Sequence, residues 1–305
     1  MHKYFKLGLA LGGGGARGIA HLGVLNVLEA EGIECNMIAG TSFGAIAGAM
    51  YAQHPNAAEV RRKVCSYLDS AEFRRTKLFF IKRHYEEEKR SSFINNLKSY
   101  LQKGIFWGIS LRRSSFISEQ DYVYHIGRLF EEKGVEETVI PFIAVAADLA
   151  GGNPVVLSQG PIRRVIAATC AIPGVFPPIE IGDAKLIDGG WVNQVPVEPL
   201  IHRGIDFVIA VDASEEGIAR KGREFSSGLD IVLRAGEITR RVLSAAQLAQ
   251  ADIVIRPDVG GLHWSDFWRA EEAIQKGEEA AREKIQELKH LLWKKKIKKM
   301  LLMKI

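Results

Sequence analysis

Apolar positions along this chain follow two rhythms, and the switch between them outlines the fold. Residues 4–11 (YFKLGLAL) are a short apolar run closed by glycine, which reads as a buried strand. From Arg17 onward, Ile19, Leu22, Val24, Leu25 and Leu28 recur at helical spacing until Gly32 stops them. Residues 33–40 predict a second strand ending in Gly40, and a helix from Phe43 to about Gln53 starts at once. Strand, glycine turn, helix, strand, sharp turn, helix is the alternation of a parallel sheet with covering helices.

The pattern then changes. Between 57 and 135, charges (Arg61, Arg62, Arg74, Arg75, Lys77, Glu86-Glu87-Glu88) interleave with Phe73, Phe79, Phe80, Phe93, Phe106, Trp107 and Phe116, which predicts a helical insertion with loops. Strand-like runs resume at Val139–Ala147, Pro154–Leu157, Lys185–Ile187, Phe207–Val211 and Ile253–Ile255. Helices are expected at 160–171, 195–203, 228–249 and 265–290, with no internal repeat and no low-complexity linker.

At 305 residues and 47% apolar, the chain can build one large α/β domain or two small ones. Cys35, Cys65 and Cys170 are too widely spaced for a disulfide framework or a zinc motif, so a reducing compartment is the expectation. The net charge of +5 is unevenly placed: residues 289–305 hold seven lysines and no acid. Removing those seven from the 41 basic residues leaves 34 against 36 acids, so the basicity belongs to the tail. That suits a local anionic partner better than a globally basic nucleic-acid binder. No run of about 18 apolar residues predicts a membrane span. The N-terminus mimics a secretory signal, but its apolar run is short and gives way to glycine, so it is read as a strand.

Two turns carry candidate chemistry. Gly13-Gly14-Gly15-Ala16-Arg17-Gly18 fits G-x-G-x-x-G between a strand and a helix, the dinucleotide fingerprint. The acid that fingerprint wants at the end of the second strand is missing, since Glu34 comes early and the strand ends in Ile38-Ala39-Gly40. A P-loop is excluded because Gly18 is followed by Ile19 and Ala20. The second turn, Gly40-Thr41-Ser42-Phe43-Gly44, is a G-x-S-x-G at a strand-to-helix junction. It would lift the Ser42 hydroxyl off the sheet as a nucleophile, or leave Ser42 as an ordinary N-cap. Adjacent parallel strands put both turns at the carboxyl edge. A serine attacking an ester creates an oxyanion that needs N–H donors at about 2.7–3.1 Å, and a glycine run supplies bare amides. Arg17 would add positive charge or anchor the loop. Later comes Ala184–Asp188 followed by Gly189-Gly190, where Asp188 is either a base or a common Asp-Gly turn.

Together with the proline loop at 168–178 (containing Ala171-Ile172-Pro173-Gly174-Val175-Phe176-Pro177-Pro178) and the stretch Gly18 to Leu25, these blocks resemble the patatin-like phospholipases, bacterial cytoplasmic members in particular. The blocks follow one another in order from residue 5 to about 215. The resemblance implies a three-layer α/β fold with a mainly parallel central sheet flanked by helices. It implies an acyl hydrolase domain over 1–288, with 57–135 as an insertion or cap and 289–305 as a basic amphipathic tail. It also implies a Ser42–Asp188 dyad and an oxyanion hole from Gly13, Gly14, Gly15, Arg17 and Gly18. Gly40 and Gly44 would form the elbow, and Gly189 and Gly190 the block after the base. The substrate would be a lipid or other acyl ester, hydrolysed without cofactor or metal. The location would be cytoplasmic, with peripheral contact at the inner membrane surface, and no nucleic acid is expected as partner.

Other readings stand beside this one. A Ser-His-Asp triad could draw on His202 or His263, both after Asp188, although His202 reads as an exposed helix end and His263 as a loop residue. His21 reads as the inner face of the first helical turn. A non-catalytic nucleotide-binding or regulatory domain would use the glycine loop alone. The insertion reads as a helical cap whose aromatics pack on the body or as a lid or acyl-binding wall, and a cap with some acyl contact is the expectation. In the tail, Trp293, Ile297, Met300 and Leu301 share one face with lysines mainly on the others, which fits an interfacial helix or a docked terminal one.

Overall fold

A computed structural model describes residues 5–75, 115, 117–214 and 228–302. Of the expected insertion it therefore describes only the two ends. Lys77, the Glu86 to Glu88 run, Phe79, Phe80, Phe93, Phe106, Trp107 and Phe116 lie outside the described residues, as does Lys304 of the tail.

The central strand is β1 (Leu7–Leu11), buried along its whole length. A 3-10 turn at Gly15–Ile19 leads into α1 (Ala20–Ala30), followed by β2 (Met37–Gly40), α2 (Phe43–Gln53), α3 (Ala57–Asp69) and the short α4 (Ala71–Arg74). After the gap come α5 (Glu119–Gly127), β3 (Phe142–Asp148), β4 (Pro154–Leu157), α6 (Ile162–Thr169), β5 (Ile179–Ile181) and β6 (Ala184–Asp188). The chain continues through α7 (Val197–Ile201), β7 (Phe207–Val211), α8 (Gly228–Leu248), β8 (Ile253–Ile255) and α9 (Ala270–Leu302).

The strands make one eight-stranded sheet in the order β5-β6-β3-β2-β1-β7-β8, with β4 against β3 off this path. β3, β2, β1, β7 and β8 are parallel, while β4 and β6 run antiparallel to β3. The period-2 alternation of β1 divides the core. Leu7, Leu9 and Leu11 belong to the layer of α1, α2 and α9, whereas Ala10, with Ala39, Ile143, Val208 and Ala210, meets Val197, Leu200 and Leu248 of α7 and α8. The result is the expected mixed α/β arrangement, a central sheet flanked by helices on both faces. The chain builds outward from β1 to β2 and β3, then returns to the other side of β1 with β7. The turn after β1 thus sits at the switch point, where such sheets leave a crevice at the strands' carboxyl ends.

Several expected boundaries move, each for a local reason. The second strand begins at Met37 because the Asn36 side chain accepts from Leu7 N–H at 2.7 Å, replacing one ladder rung. The first turn of the helix expected from Arg17 is 3-10, and α1 begins at Ala20. β5 is three residues long, too short to show a period. α9 runs unbroken through residue 288, so residues 289–302 are the end of one long helix.

α1 and α9 cross with their backbones in contact. A Cβ on Gly23 would lie 2.0 Å from Ile274 O, and one on Gly277 would lie 1.9 Å from Ala20 O. Those two glycines set how closely the last helix presses on the first.

Candidate active site

The elbow is built by steric exclusion. A Cβ on Gly40 would lie 2.4 Å from Ala45 Cα, and one on Gly44 would lie 2.3 Å from Leu11 O, so the turn from β2 into α2 closes only with glycine at both places. Between them Ser42 has φ 53° and ψ −127°, making it the one non-glycine residue at positive φ among the described residues. Such a conformation costs about 1–3 kcal/mol and persists where its surroundings hold it. Two contacts fix the neighbourhood. Ser42 N–H donates to Thr169 Oγ1 at 3.1 Å, and the Thr41 hydroxyl donates to Asn193 O at 2.9 Å. Thr169 in turn donates to Val145 O, tying the elbow to β3.

Ser42 stands at the N-terminus of α2 but makes no side-chain cap bond. Its hydroxyl instead donates to Asp188 Oδ2 at 2.7 Å. A hydroxyl has one proton to give, and here it goes to the carboxylate. Both side chains are buried, at 7% and 6% exposure. Asp188 ends β6, opposite Ala146 of β3, and its other oxygen accepts from Gly190 N–H at 2.8 Å. A Cβ on Gly189 would lie 2.1 Å from Val145 O, so the chain after the acid must press against β3 without a side chain. Burial pushes the Asp188 carboxyl up to about 6, with the bonds from Ser42 and Gly190 and the charge of Arg240 pulling the other way.

The glycine loop faces Ser42 from the neighbouring strand. A Cβ on Gly13 would lie 3.3 Å from Ser42 Cβ. Gly12 N–H donates to Val211 O and Gly13 N–H to Gln194 O, each at 3.0 Å. The amides of Gly14 and Gly15 have no acceptor among the described residues. Gly14 and Gly15 are crowded on their Cβ side by Ala213 O at 2.8 Å and Trp264 O at 2.5 Å, and Gly15 has φ 58°. Gly18 serves packing, because its Cβ would lie 2.7 Å from Phe43 Cβ. Arg17 turns its Nε back to Gly14 O at 3.4 Å, the anchoring role of the two considered for it.

Residues outside the motifs complete the loop. His21 is fully buried, and its Nε2 lies 2.7 Å from Gly12 O, which makes Nε2 the protonated nitrogen. Burial lowers its pKa to about 4, so the ring is neutral. Gln194 Nε2 donates to Gly13 O at 2.9 Å, gripping the loop from the segment after Asp188. Thr169, Gln194 and Asn193 carry no signal in a single sequence, since each acts through a contact made only in the fold. Cys170 is buried beside Asp188 and Ser42, and burial pushes its thiol well up, so it stays protonated.

The Ser42 hydroxyl bonds Asp188 and neither candidate histidine. His202 is an exposed helix-end residue 3.8 Å from Glu198, and His263 holds Ser265 Oγ at 2.7 Å within its own loop. No group of three or more His, Cys, Asp or Glu among the described residues could hold a metal ion. The described ends of the insertion pack on the body near the site. Phe73 meets Phe267 edge-on at 5.7 Å, Phe267 lies 6.5 Å from Phe43, and Tyr122 stacks on Phe176 at 4.1 Å.

Comparison with known proteins gives concordant findings. The family model described as patatin-like phospholipase matches residues 9–201. A lysophospholipase of Debaryomyces hansenii is 28% identical over 68% of this chain and 12% of its own length. An uncharacterized NTE family protein of Mycobacterium bovis is 31% identical over 70% of this chain and 51% of its own. This chain thus spans 51% of the length of one of these relatives and 12% of the other. Among solved structures, human GIVD cytosolic phospholipase A2 aligns over 95% of this chain and 59% of that one, at 10% identity and a TM-score of 0.49, too loose to carry residue correspondences.

Proposed function

We propose that this chain, which belongs to the patatin-like phospholipase family, hydrolyses carboxylic esters of lipids with Ser42 as nucleophile and Asp188 as general base. The observation that carries this reading is the 2.7 Å bond from Ser42 Oγ to Asp188 Oδ2 at a positive-φ elbow. The relative named as a lysophospholipase supports the choice of lipid acyl esters over other esters.

The chemistry follows from the geometry. Asp188 accepts the Ser42 proton as Oγ attacks the ester carbonyl, and the carbonyl oxygen becomes anionic. The free amides of Gly14 and Gly15 receive that oxygen, joined by Phe43 N–H at the start of α2, whose helix terminus also favours negative charge. Gly13 contributes by letting the loop approach Ser42 closely, since its own amide is already engaged by Gln194. Asp188 then gives its proton to the leaving alcohol as the C–O bond breaks and the acyl-serine forms. Water repeats the cycle: Asp188 takes a proton from water, hydroxide attacks the acyl carbon, and the proton returns to Ser42 as the fatty acid leaves. A carboxyl held near 6 is mostly ionised at neutral pH yet a stronger base than a free aspartate. The aromatic run Phe43, Phe267, Phe73 links the elbow to the insertion, an apolar setting suited to an acyl chain.

The tail has a secondary place in this reading. Lys289 pairs with Glu31 at 2.6 Å, Lys299 with Asp206 at 2.6 Å, Lys295 with Asp252, and Leu292 is buried, all of which favours docking on the body. Asp206 and Asp252 precede β7 and β8, so the tail lies at the sheet edge opposite Ser42. Trp293, Met300, Leu301 and Leu302 remain exposed there. Contact between them and an anionic membrane would serve as a tether, not as an entry for substrate. No helix among the described residues is long and apolar enough to cross a membrane.

Replacement of Ser42 by Ala tests the assignment. Hydrolysis of p-nitrophenyl esters should vanish while the thermal unfolding profile stays native, and turnover within about tenfold of wild type would refute the nucleophile.

A further inference from the structure

One apolar surface near the site has no role in the chemistry above. On α8, Ile231, Ala235, Ile238 and Val242 follow each other at helical spacing, and all four are exposed, with Ile231 at 57%, Ile238 at 51% and Val242 at 68%. Val232 at 68% and Leu243 at 38% widen the stripe. The opposite face holds the helix down: Ser244, Gln247 and Leu248 are buried, and Gln247 bonds Gln194 N–H at 3.1 Å and Val192 O at 3.0 Å. α8 therefore carries branched apolar side chains on the water side, where a surface helix ordinarily places polar ones.

The inner face of the same helix borders the site. Trp191, three residues after Asp188 and itself 38% exposed, lies under Gly236 and carries the Arg240 guanidinium 4.6 Å above its ring. The helix starts at the carboxyl edge of the sheet, the edge of Ser42 and the glycine loop. Its outward cations flank the stripe: Arg241 and Arg234, which pairs with Glu237 at 2.9 Å, stand to one side of Ile238 and Val242 at helical spacing, Asp230 precedes the stripe, and Arg240 turns inward over Trp191. A lipid surface with anionic headgroups meets both the apolar stripe and the flanking Arg234 and Arg241.

We propose that the outer face of α8, from Ile231 to Val242, seats on an anionic lipid surface and brings the mouth of the Ser42 site, which Trp191 on the inner face of the same helix borders, against it. The proposal deepens the acyl-hydrolase reading and rests on it for the purpose of the surface. It is independent of the tail, which lies at the other edge.

The test uses the full chain, wild type and with Ile238→Glu and Val242→Glu combined. Both positions are exposed and outside the catalytic machinery. Co-sedimentation is measured with vesicles of phosphatidylcholine with or without a minority of phosphatidylglycerol. Fatty-acid release from the same vesicles is compared with turnover of a soluble short-chain p-nitrophenyl ester. The expected result is that the anionic vesicles bind wild type better than the neutral ones. The double variant should partition at least about tenfold more weakly, with a parallel fall in vesicle hydrolysis and unchanged soluble-ester turnover. Arg241→Gln should weaken only the anionic-vesicle arm. Unchanged vesicle binding in the double variant overturns the proposal. So does a parallel loss of soluble-ester turnover, or a drop in sedimenting mass that identifies the stripe as a self-association face. If wild type hydrolyses neither ester, the acyl-hydrolase reading fails by itself, and the binding arm still decides whether the surface holds lipid.

Discussion

Replacing Asp188 by Asn should abolish hydrolysis and, near neutral pH, make the protein more stable. The carboxyl is buried and its pKa stands at about 6, against 3.8 for an unhindered aspartate. Between those values the folded chain holds a proton that the unfolded chain has released. For this group, stability is therefore gained as pH falls through 6 toward 3.8, and the penalty is fully present above 6. The gap of about two pH units corresponds to roughly 3 kcal/mol of ionisation penalty. Asparagine has the shape of the neutral acid and nothing to ionise. Its carbonyl can keep the bond from Gly190 N–H, so the variant behaves as wild type with the penalty removed. Guanidinium unfolding at about pH 8 should show the variant more stable by up to ~3 kcal/mol, with the difference closing toward about pH 4. Wild-type kcat/KM should rise with pH through a limb near 6, since only the carboxylate accepts the serine proton. A folded variant no more stable than wild type at about pH 8 would show that the site does not strain Asp188, and the argument for a tuned base would fall with it.

Three further outcomes follow. His202→Ala and His263→Ala should keep kcat/KM within about tenfold of wild type, and a loss as deep as that of Asp188→Asn in either, with folding intact, would replace the dyad by a triad. Gly15→Val should lower kcat by about 10²–10³, because a side chain cannot fit 2.5 Å from Trp264 O at φ 58° without moving an oxyanion amide; saturable NAD binding lost in the same variant would favour the nucleotide reading instead. Truncation after Leu288 removes buried Leu292 and the pairs of Lys295 and Lys299, and should lower the unfolding midpoint; an unchanged midpoint would mean the tail is not docked.

Much of the carboxyl edge was legible because its turns are local. Gly40 to Gly44 and Gly12 to Gly15 announce themselves by glycine, and glycine is there for clashes within a few ångströms. The parallel sheet was legible from the alternation of apolar runs with helical ones. What stayed hidden acts across sequence distance. Nothing local marks Thr169 as the acceptor for Ser42 N–H, or Gln194 as the clasp of Gly13. The glycine run also proved to have two reasons where one was expected. Gly14 and Gly15 are shaped by Ala213 and Trp264 on one side, besides leaving amides free on the other. The tail was legible as a helix from the spacing of Trp293, Ile297, Met300 and Leu301, but that it continues α9 without a break and pairs with Asp252 and Asp206 is supplied only by the fold.

The crossing of Gly23 and Gly277 ties an early helix to a late one in the order of synthesis. α1 emerges early in synthesis, directly after the loop that would receive the oxyanion, but the helix it presses against follows every strand of the sheet. Ala16, too, finds its carbonyl partner only in Trp264. A nascent chain that already carries Ser42 and Asp188 still lacks the segments that hold its glycine loop in place.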